Sequence, residues 1–236
     1  MTDTAFQPSA IPNFAPAYFA SFACSAAMLA FVSFAGPLAE ATGLAAWQLG
    51  ITVTVAGLAW VVAATYWGRV SDRIGRKPVI LTGLAIFAVS YAAISLVIIA
   101  GFYGWAGAYL ILAGLIVTRA AIGFGYAAVP AGSNALIADY IAPDDRAAFM
   151  GRFGAAQAMG MIFGPGLVAL AMFFSMETAL IILTALVVLA AIYIAKALPD
   201  SHKKTGEAKK MSLFDARVRF TNLFGFFSVF ATGIAQ

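Results

Sequence analysis

The sequence predicts an all-α polytopic membrane protein built around a six-helix bundle. Of its 236 residues, 63% are hydrophobic and only 10% are charged, whereas soluble domains carry about 25% charged residues. Six apolar stretches are each long enough to cross a hydrocarbon layer of ~30 Å, which takes about 20 helical residues. A water-soluble core of this size could not bury so much apolar surface, so lipid is the predicted solvent.

The six predicted spans follow one another through short links. They cover residues 16–38, 46–67, 79–101, 108–136, 147–173 and 178–195. A seventh apolar stretch opens near Phe220 and continues to Gln236. The stretch SHKKTGEAKK between them is polar, without an apolar stripe. We therefore divide the chain into a six-helix bundle over 1–197, a solvated linker over 198–218 and the start of helix seven over 219–236.

The basic residues are distributed asymmetrically along the chain. All but one of the 14 Lys and Arg residues lie in or beside the links after spans two, four and six. The other links carry no Lys or Arg, and their charges are those of Glu40 and Glu177. Because Lys and Arg stay on the cytoplasmic side, this pattern predicts a cytoplasmic N-terminus in the cell inner (plasma) membrane. The same bias accounts for the net charge of +4, and no nucleic-acid partner is predicted.

The link after span two reads GRVSDRIGRKP and holds five charged side chains in residues 68–78. Gly68 and Gly75 are expected to turn the backbone and to let helices two and three approach each other. Asp72 is expected to cap a helix end or to pair with a nearby guanidinium. A plain positive-inside loop is the alternative interpretation, although such a loop would need neither the glycines nor the acid.

Arg119 is the one cation deep within a predicted span, since Arg152 lies only six residues into span five. An arginine at a helix centre costs ~2.5–3.5 kcal/mol on insertion scales, so it must face the bundle interior, a watery cavity or acceptor groups. A purely structural cross-link through backbone carbonyls remains open. The candidate neighbours are Gln157 in span five, with Tyr126, Ser133 and Asn134 in span four. The span-four residues form a possible polar stripe, for which ordinary helix–helix hydrogen bonding is an equal alternative.

Soft and aromatic side chains supply candidate cavity walls. Met28 and Phe31 in span one suit small amphipathic substrates, with a lipid-facing position as the equal alternative. Tyr66 and Trp67, at the predicted membrane edge, are expected to be interfacial anchors.

Three motifs resemble signatures of the major facilitator superfamily. The first is the spacing GxxxDRxGRK after span two, and the second is RAAIGFG, with Arg119 four residues before Gly123. The third is GRFGAAQAMGMIFGP in span five, which resembles the antiporter motif of that family. Its spaced positions are Gly151, Gly160, Gly164 and Pro165. Among these residues, the small ones are expected to allow close packing and Pro165 to break the helical ladder. The chain looks closest to bacterial twelve-helix drug:proton antiporters, including tetracycline-type exporters.

That resemblance implies a fold of two inverted three-helix repeats, facing a C-terminal six-helix half in the full-length protein or a partner chain. It also implies that Asp72 and Arg76 join Asp139 in a charge network that locks one transport state. Arg73 and Lys77 belong to the same gating loop. Arg119 is then expected beside the translocation path, in proton or substrate coupling. The implied energy source is the proton gradient, with no cofactor.

The acidic residues leave a second transport function open. Spans one to six hold no Asp or Glu in their middles, whereas proton antiport of a cation usually needs a titratable carboxylate in the membrane. A metabolite or organic-anion facilitator, or a proton symporter of the same fold, is therefore the alternative. An enzyme is not expected, because the single histidine, His202, lies in the linker and Ser133 lacks a partner base.

Overall fold

The computed structural model describes residues 11–198, which form six α-helices and no strand. The helices are α1 (Ala15–Thr42), α2 (Ala46–Ile74), α3 (Arg76–Phe102), α4 (Ala108–Tyr140), α5 (Arg146–Ala171) and α6 (Met176–Ala197). Each is long and apolar enough to cross a membrane. The predicted all-α, six-span architecture is confirmed over this range. The predicted linker and the start of helix seven lie outside the described residues.

The charged stretch between α2 and α3 is helical almost throughout, which corrects the prediction of a loop. Helix α2 continues to Ile74 and α3 begins at Arg76, so one residue separates them. That residue is Gly75, whose φ of +98° lies in a region that side chains with a Cβ rarely adopt. Gly68 lies inside α2, and a Cβ there would meet open space. The prediction that Gly68 makes a turn or a close approach was therefore wrong.

Helices α1 and α5 pack with their backbones in contact. A Cβ at Gly160 would overlap the carbonyl oxygen of Phe22, and one at Gly164 would overlap that of Ala26. In lipid, where apolar side chains gain little by leaving the solvent, such close approach supplies much of the packing energy between helices. Helix α5 runs on through Pro165 to Ala171, so this proline removes one N–H donor and does not end the helix.

Helices α2 and α4 form a similar close contact. A Cβ at Gly123 would overlap the carbonyl oxygen of Ala56. The indole Nε1 of Trp67 donates to the carbonyl oxygen of Phe124 at 2.8 Å, and Trp67 is buried. The predicted interfacial position of Trp67 was therefore wrong, whereas its neighbour Tyr66 is exposed. Burial of the indole leaves no unpaired donor, because its N–H donates to a backbone carbonyl of α4.

The α4–α5 link is closed by an arginine that satisfies free carbonyl groups. Arg146, at the start of α5, donates to the carbonyl oxygens of Ala138 at 2.7 Å and Ile141 at 2.9 Å. The last carbonyls of a helix have no intrahelical donor, so a cation suits this position. At the opposite end of the bundle, Tyr103 donates to Glu177 at 2.9 Å. That hydrogen bond raises the pKa of the Tyr103 phenol.

Candidate functional site

An ion network joins three helices at one end of the bundle. Arg76, in the first turn of α3, donates from Nε to Asp139 Oδ2 at 2.9 Å. Its Nη1 donates to Asp72 Oδ1 at 2.6 Å and to Ser71 Oγ at 3.0 Å. Asp72 lies in the last turn of α2 and Asp139 in the last turn of α4. The structure thus brings together the three residues that the family resemblance grouped.

Local packing explains why these three residues meet. The turn at Gly75 places Arg76 only four residues after Asp72, so the two side chains share one corner. Helix α4 comes close to α3 at Gly132, where the missing Cβ leaves room for the Ile80 side chain. Asp139 lies two helical turns beyond Gly132 and reaches the same corner.

The three charged side chains of the network differ in how far they are buried. The side chain of Arg76 is 15% exposed, that of Asp139 27% and that of Asp72 49%. Screening by water therefore weakens the Asp72 contact more than the Asp139 contact. Ser71 was not predicted from the sequence, although its place beside Asp72, one turn before Gly75, was an available signal.

Arg73 and Lys77 also belong to the predicted gating loop. Arg73 is exposed and makes no ion pair with any described residue. Lys77 is half-buried in the first turn of α3.

Gly151, the first position of the span-five motif, is exposed, and a Cβ there would meet open space. The motif spacing therefore includes one glycine that no packing in the described residues requires.

Arg119 is buried in the middle of the bundle, with 1% of its surface exposed. Its guanidinium carbon lies 4.5 Å from the centre of the Phe31 ring, and Nη1 donates to the carbonyl oxygen of Met28 at 3.4 Å. Nε has no hydrogen-bond partner among the described residues. Both ion pairs found in residues 11–198 belong to Arg76, so Arg119 has no carboxylate partner there.

The contacts of Arg119 correct the predicted set of neighbours. Gln157, Tyr126, Ser133 and Asn134 make no hydrogen bond to it in the described structure. Its ring contact and its hydrogen bond come instead from α1. Phe31 is buried beneath the guanidinium and Met28 is half-buried. The lipid-facing alternative for Phe31 is therefore excluded.

Tyr126 is the centre of a second polar cluster. Its Oη lies 2.7 Å from Ser25 Oγ and accepts from Gln157 Nε2 at 2.9 Å. This hydrogen-bonded triad joins α1, α4 and α5 within the apolar interior. Tyr126 and Gln157 were predicted from the sequence as pathway residues, whereas Ser25 was not. The pair Ser21 and Ser25, one turn apart in an otherwise apolar helix, was the signal that could have found it.

The polar stripe predicted along α4 is only partly present. Arg119, Tyr126 and Ser133 are spaced seven residues apart and are all buried, so they share the interior face. Ser133 Oγ has no partner among the described residues. Asn134 is exposed, because one residue further along the helix turns the side chain by about 100°.

The carboxylates of residues 11–198 all lie near helix ends. They are Glu40, Asp72, Asp139, Asp144, Asp145 and Glu177. The same range contains no group of His, Cys, Asp and Glu side chains that could hold a metal ion.

Comparison with known proteins assigns a family. The family model described as Major Facilitator Superfamily matches residues 17–235. Inner membrane transport protein YajR of Escherichia coli (strain K12) is 37% identical over 123 residues, which are 50% of this chain and 24% of that protein. Tetracycline resistance protein, class D, of Salmonella ordonez is 29% identical over 166 residues, which are 69% of this chain and 39% of that protein. The chain spans well under half the length of these relatives.

Proposed function

The chain belongs to the Major Facilitator Superfamily of membrane transporters, and on that premise we propose that it acts in proton-coupled efflux of small amphipathic molecules by alternating access. The similarity to a protein named for tetracycline resistance supports export of antibiotic-like compounds. The proton gradient is the proposed energy source. A C-terminal six-helix half, in the full-length protein or in a partner chain, is the proposed second wall of the cavity.

The network of Asp72, Arg76 and Asp139 is the observation that carries this proposal. It joins α2, α3 and α4 through charge-assisted hydrogen bonds at one end of the bundle. A partly exposed network of this kind can be made in one state and broken in another, as a gate requires. The positive-inside bias supports a cytoplasmic position for this end and for the N-terminus, in the inner membrane.

The proposed pathway runs beside the interior polar groups. Arg119 is buried, charged and without a described carboxylate partner, so a proton or a substrate that reached it would change its electrostatic environment strongly. The triad around Tyr126 offers hydrogen bonds two helical turns away on the same face of α4. The exposed Asn134 extends the polar groups of α4 to the surface of the bundle. Met28, half-buried beside Arg119, supplies a soft apolar contact.

The test is a flux measurement with the purified protein in proteoliposomes. A pH gradient is imposed and the entry of an amphipathic drug such as a tetracycline is followed together with proton movement. Drug-dependent dissipation of the gradient is expected, and Asp72→Asn is expected to slow both fluxes together. A gradient that stays unaffected by every drug, while an organic anion enters, would overturn the efflux proposal.

The second candidate function is a facilitator or proton symporter for an organic anion. It is favoured by one observation, a buried guanidinium in a set of described helices whose acids lie only near the ends. Such a half-cavity attracts anions and repels cations. Counterflow of a labelled organic anion, without any drug-dependent proton movement, is the result that this candidate predicts.

A further inference from the structure

One face of α2 carries an exposed stripe whose chemistry changes along its length. The stripe consists of Leu58, Val62, Tyr66, Arg69 and Arg73. At ~100° per residue, these five side chains fall within about 80° of one another around the helix. Leu58, Val62 and Tyr66 are 62%, 72% and 51% exposed, and both arginines are exposed as well. The stripe is therefore a continuous surface that begins apolar, becomes aromatic and ends cationic.

The length of this stripe matches one leaflet of a bilayer. Residues 58 and 73 are ~22 Å apart along the helix axis at 1.5 Å per residue. Half of a bilayer of ~40–45 Å, headgroups included, has the same thickness. Tyr66 then lies at the depth preferred by interfacial aromatic residues. Trp47, at the other end of α2, is 67% exposed and suits the opposite interface, which supports a lipid-facing orientation for this side of α2.

The two arginines at the end of the stripe are not neutralised within the described structure. Arg69 and Arg73 lie one helical turn apart and make no ion pair, hydrogen bond or ring contact with any residue in 11–198. The nearby acid, Asp72, accepts a hydrogen bond from Arg76 instead. Two like charges at this spacing repel each other, so a bound anion would relieve an unfavourable contact. Guanidinium groups in particular match the geometry of phosphate oxygens.

We propose that this stripe binds one anionic phospholipid. Its acyl chains lie along Leu58 and Val62, its glycerol backbone lies at Tyr66, and its headgroup phosphate is held by Arg69 and Arg73. A lipid with a net negative charge fits better than a zwitterionic one, because no carboxylate of the stripe is available for the amine of a zwitterionic headgroup. The site is separate from the interior around Arg119 and does not depend on the identity of the cargo.

The test is native mass spectrometry of the purified protein titrated with dioleoyl phosphatidylglycerol, with dioleoyl phosphatidylcholine as the zwitterionic probe. Arg69→Gln and Arg73→Gln are each expected to raise the apparent Kd for phosphatidylglycerol about fivefold, and the double variant roughly 25-fold. Binding of phosphatidylcholine is expected to stay unchanged. Both positions are exposed, and circular dichroism with size-exclusion chromatography verifies that the variants fold.

The matched control is Arg152→Gln, which removes another exposed arginine near the same end of the bundle and leaves the stripe intact. Its apparent Kd for phosphatidylglycerol is expected to equal that of the unmodified protein. An equal loss in Arg152→Gln would mean diffuse attraction and would overturn the proposal. Unchanged binding by the double variant would overturn it too, as would displacement of the lipid by millimolar inorganic phosphate alone.

Discussion

Arg76 and Arg119 both tie helices together, but their surroundings differ in every respect. Arg76 lies at the end of the bundle, half-buried, and forms ion pairs with two carboxylates from two other helices. Arg119 lies in the middle, almost fully buried, against an aromatic ring and a backbone carbonyl of α1. One cation is paired with opposite charges, and the other is stabilised by a polarisable ring and a carbonyl dipole.

The difference indicates which of the two contacts can act as a switch. An ion network near water can exchange its more exposed partner, Asp72, for solvent at a small cost, because exposed pairs contribute only about 0–1 kcal/mol. A guanidinium in the interior has no such alternative, and a cation–π contact away from water contributes ~2 kcal/mol. We therefore expect the Arg76 network to control conformation and Arg119 to control what happens inside the bundle.

The largest expected effect comes from Arg119→Ala. Transport is expected to fall to background, because the interior loses its charge, whereas membrane insertion is retained, since removing a central arginine relieves ~2.5–3.5 kcal/mol of insertion cost. Flux in proteoliposomes and the amount of protein in the membrane fraction are the two measurements. Arg152→Ala, at an exposed position, serves as the control. Normal flux in Arg119→Ala would assign this residue a structural role only.

The second effect concerns Asp139, the less exposed carboxylate of the network. Asp139→Asn is expected to destabilise this end by about 1.5–3 kcal/mol, because Arg76 loses a charged hydrogen-bond acceptor in a partly buried position. Thermal unfolding in detergent reports the stability. The same substitution at Asp144, which is exposed in the α4–α5 link, is the control. Equal Tm values for the two variants would contradict the prediction.

Phe31→Leu separates the aromatic contribution to the Arg119 site from simple packing. The loss of the ring face is expected to cost roughly 1–2 kcal/mol beyond the change in volume. A double-mutant cycle with Arg119→Met isolates the pairwise term. If Phe31→Leu costs the same in both backgrounds, the guanidinium and the ring do not interact energetically.

The smallest expected effect is that of Asp72→Asn, at the more exposed side of the network. It is expected to cost about 0.5 kcal/mol of stability, and high salt is expected to mimic it because the Debye length falls to ~3 Å at 1 M. It is nevertheless expected to shift the accessibility of cysteine probes at the two ends of the bundle. The native Cys24 is buried and does not compete with these probes. Unchanged accessibility at both ends would exclude a gating role for Asp72.

Individual residues show how much of the site follows from the sequence. The grouping of Asp72, Arg76 and Asp139 came from a motif whose members are brought together by one turn and one helix end, and the structure has them in contact. The partners of Arg119 were missed because they come from another helix. Neither Phe31 nor the Met28 carbonyl carries a local signal that points to residue 119.

The glycines also show that a local motif does not reveal which helix packs against it. Gly75 could be recognised in its motif, whereas Gly68 and Gly151 share the motif spacing and have open space around them. Gly160 and Gly164 are needed because α1 lies directly against them. Whether a small residue permits contact depends on which helix is opposite, and that information is not present in the segment itself.

The sequence by itself determined that six helices cross a bilayer, that their basic residues gather at alternate links and that one arginine is buried. Each of these is a property of a single segment and its transfer between water and lipid. Only the tertiary structure decided that Arg119 stacks on Phe31, that Tyr126 joins Ser25 to Gln157, and that Trp67 is buried against α4. These contacts follow from the rotation and crossing of neighbouring helices, which packing against backbone at a few glycines selects and no local pattern specifies.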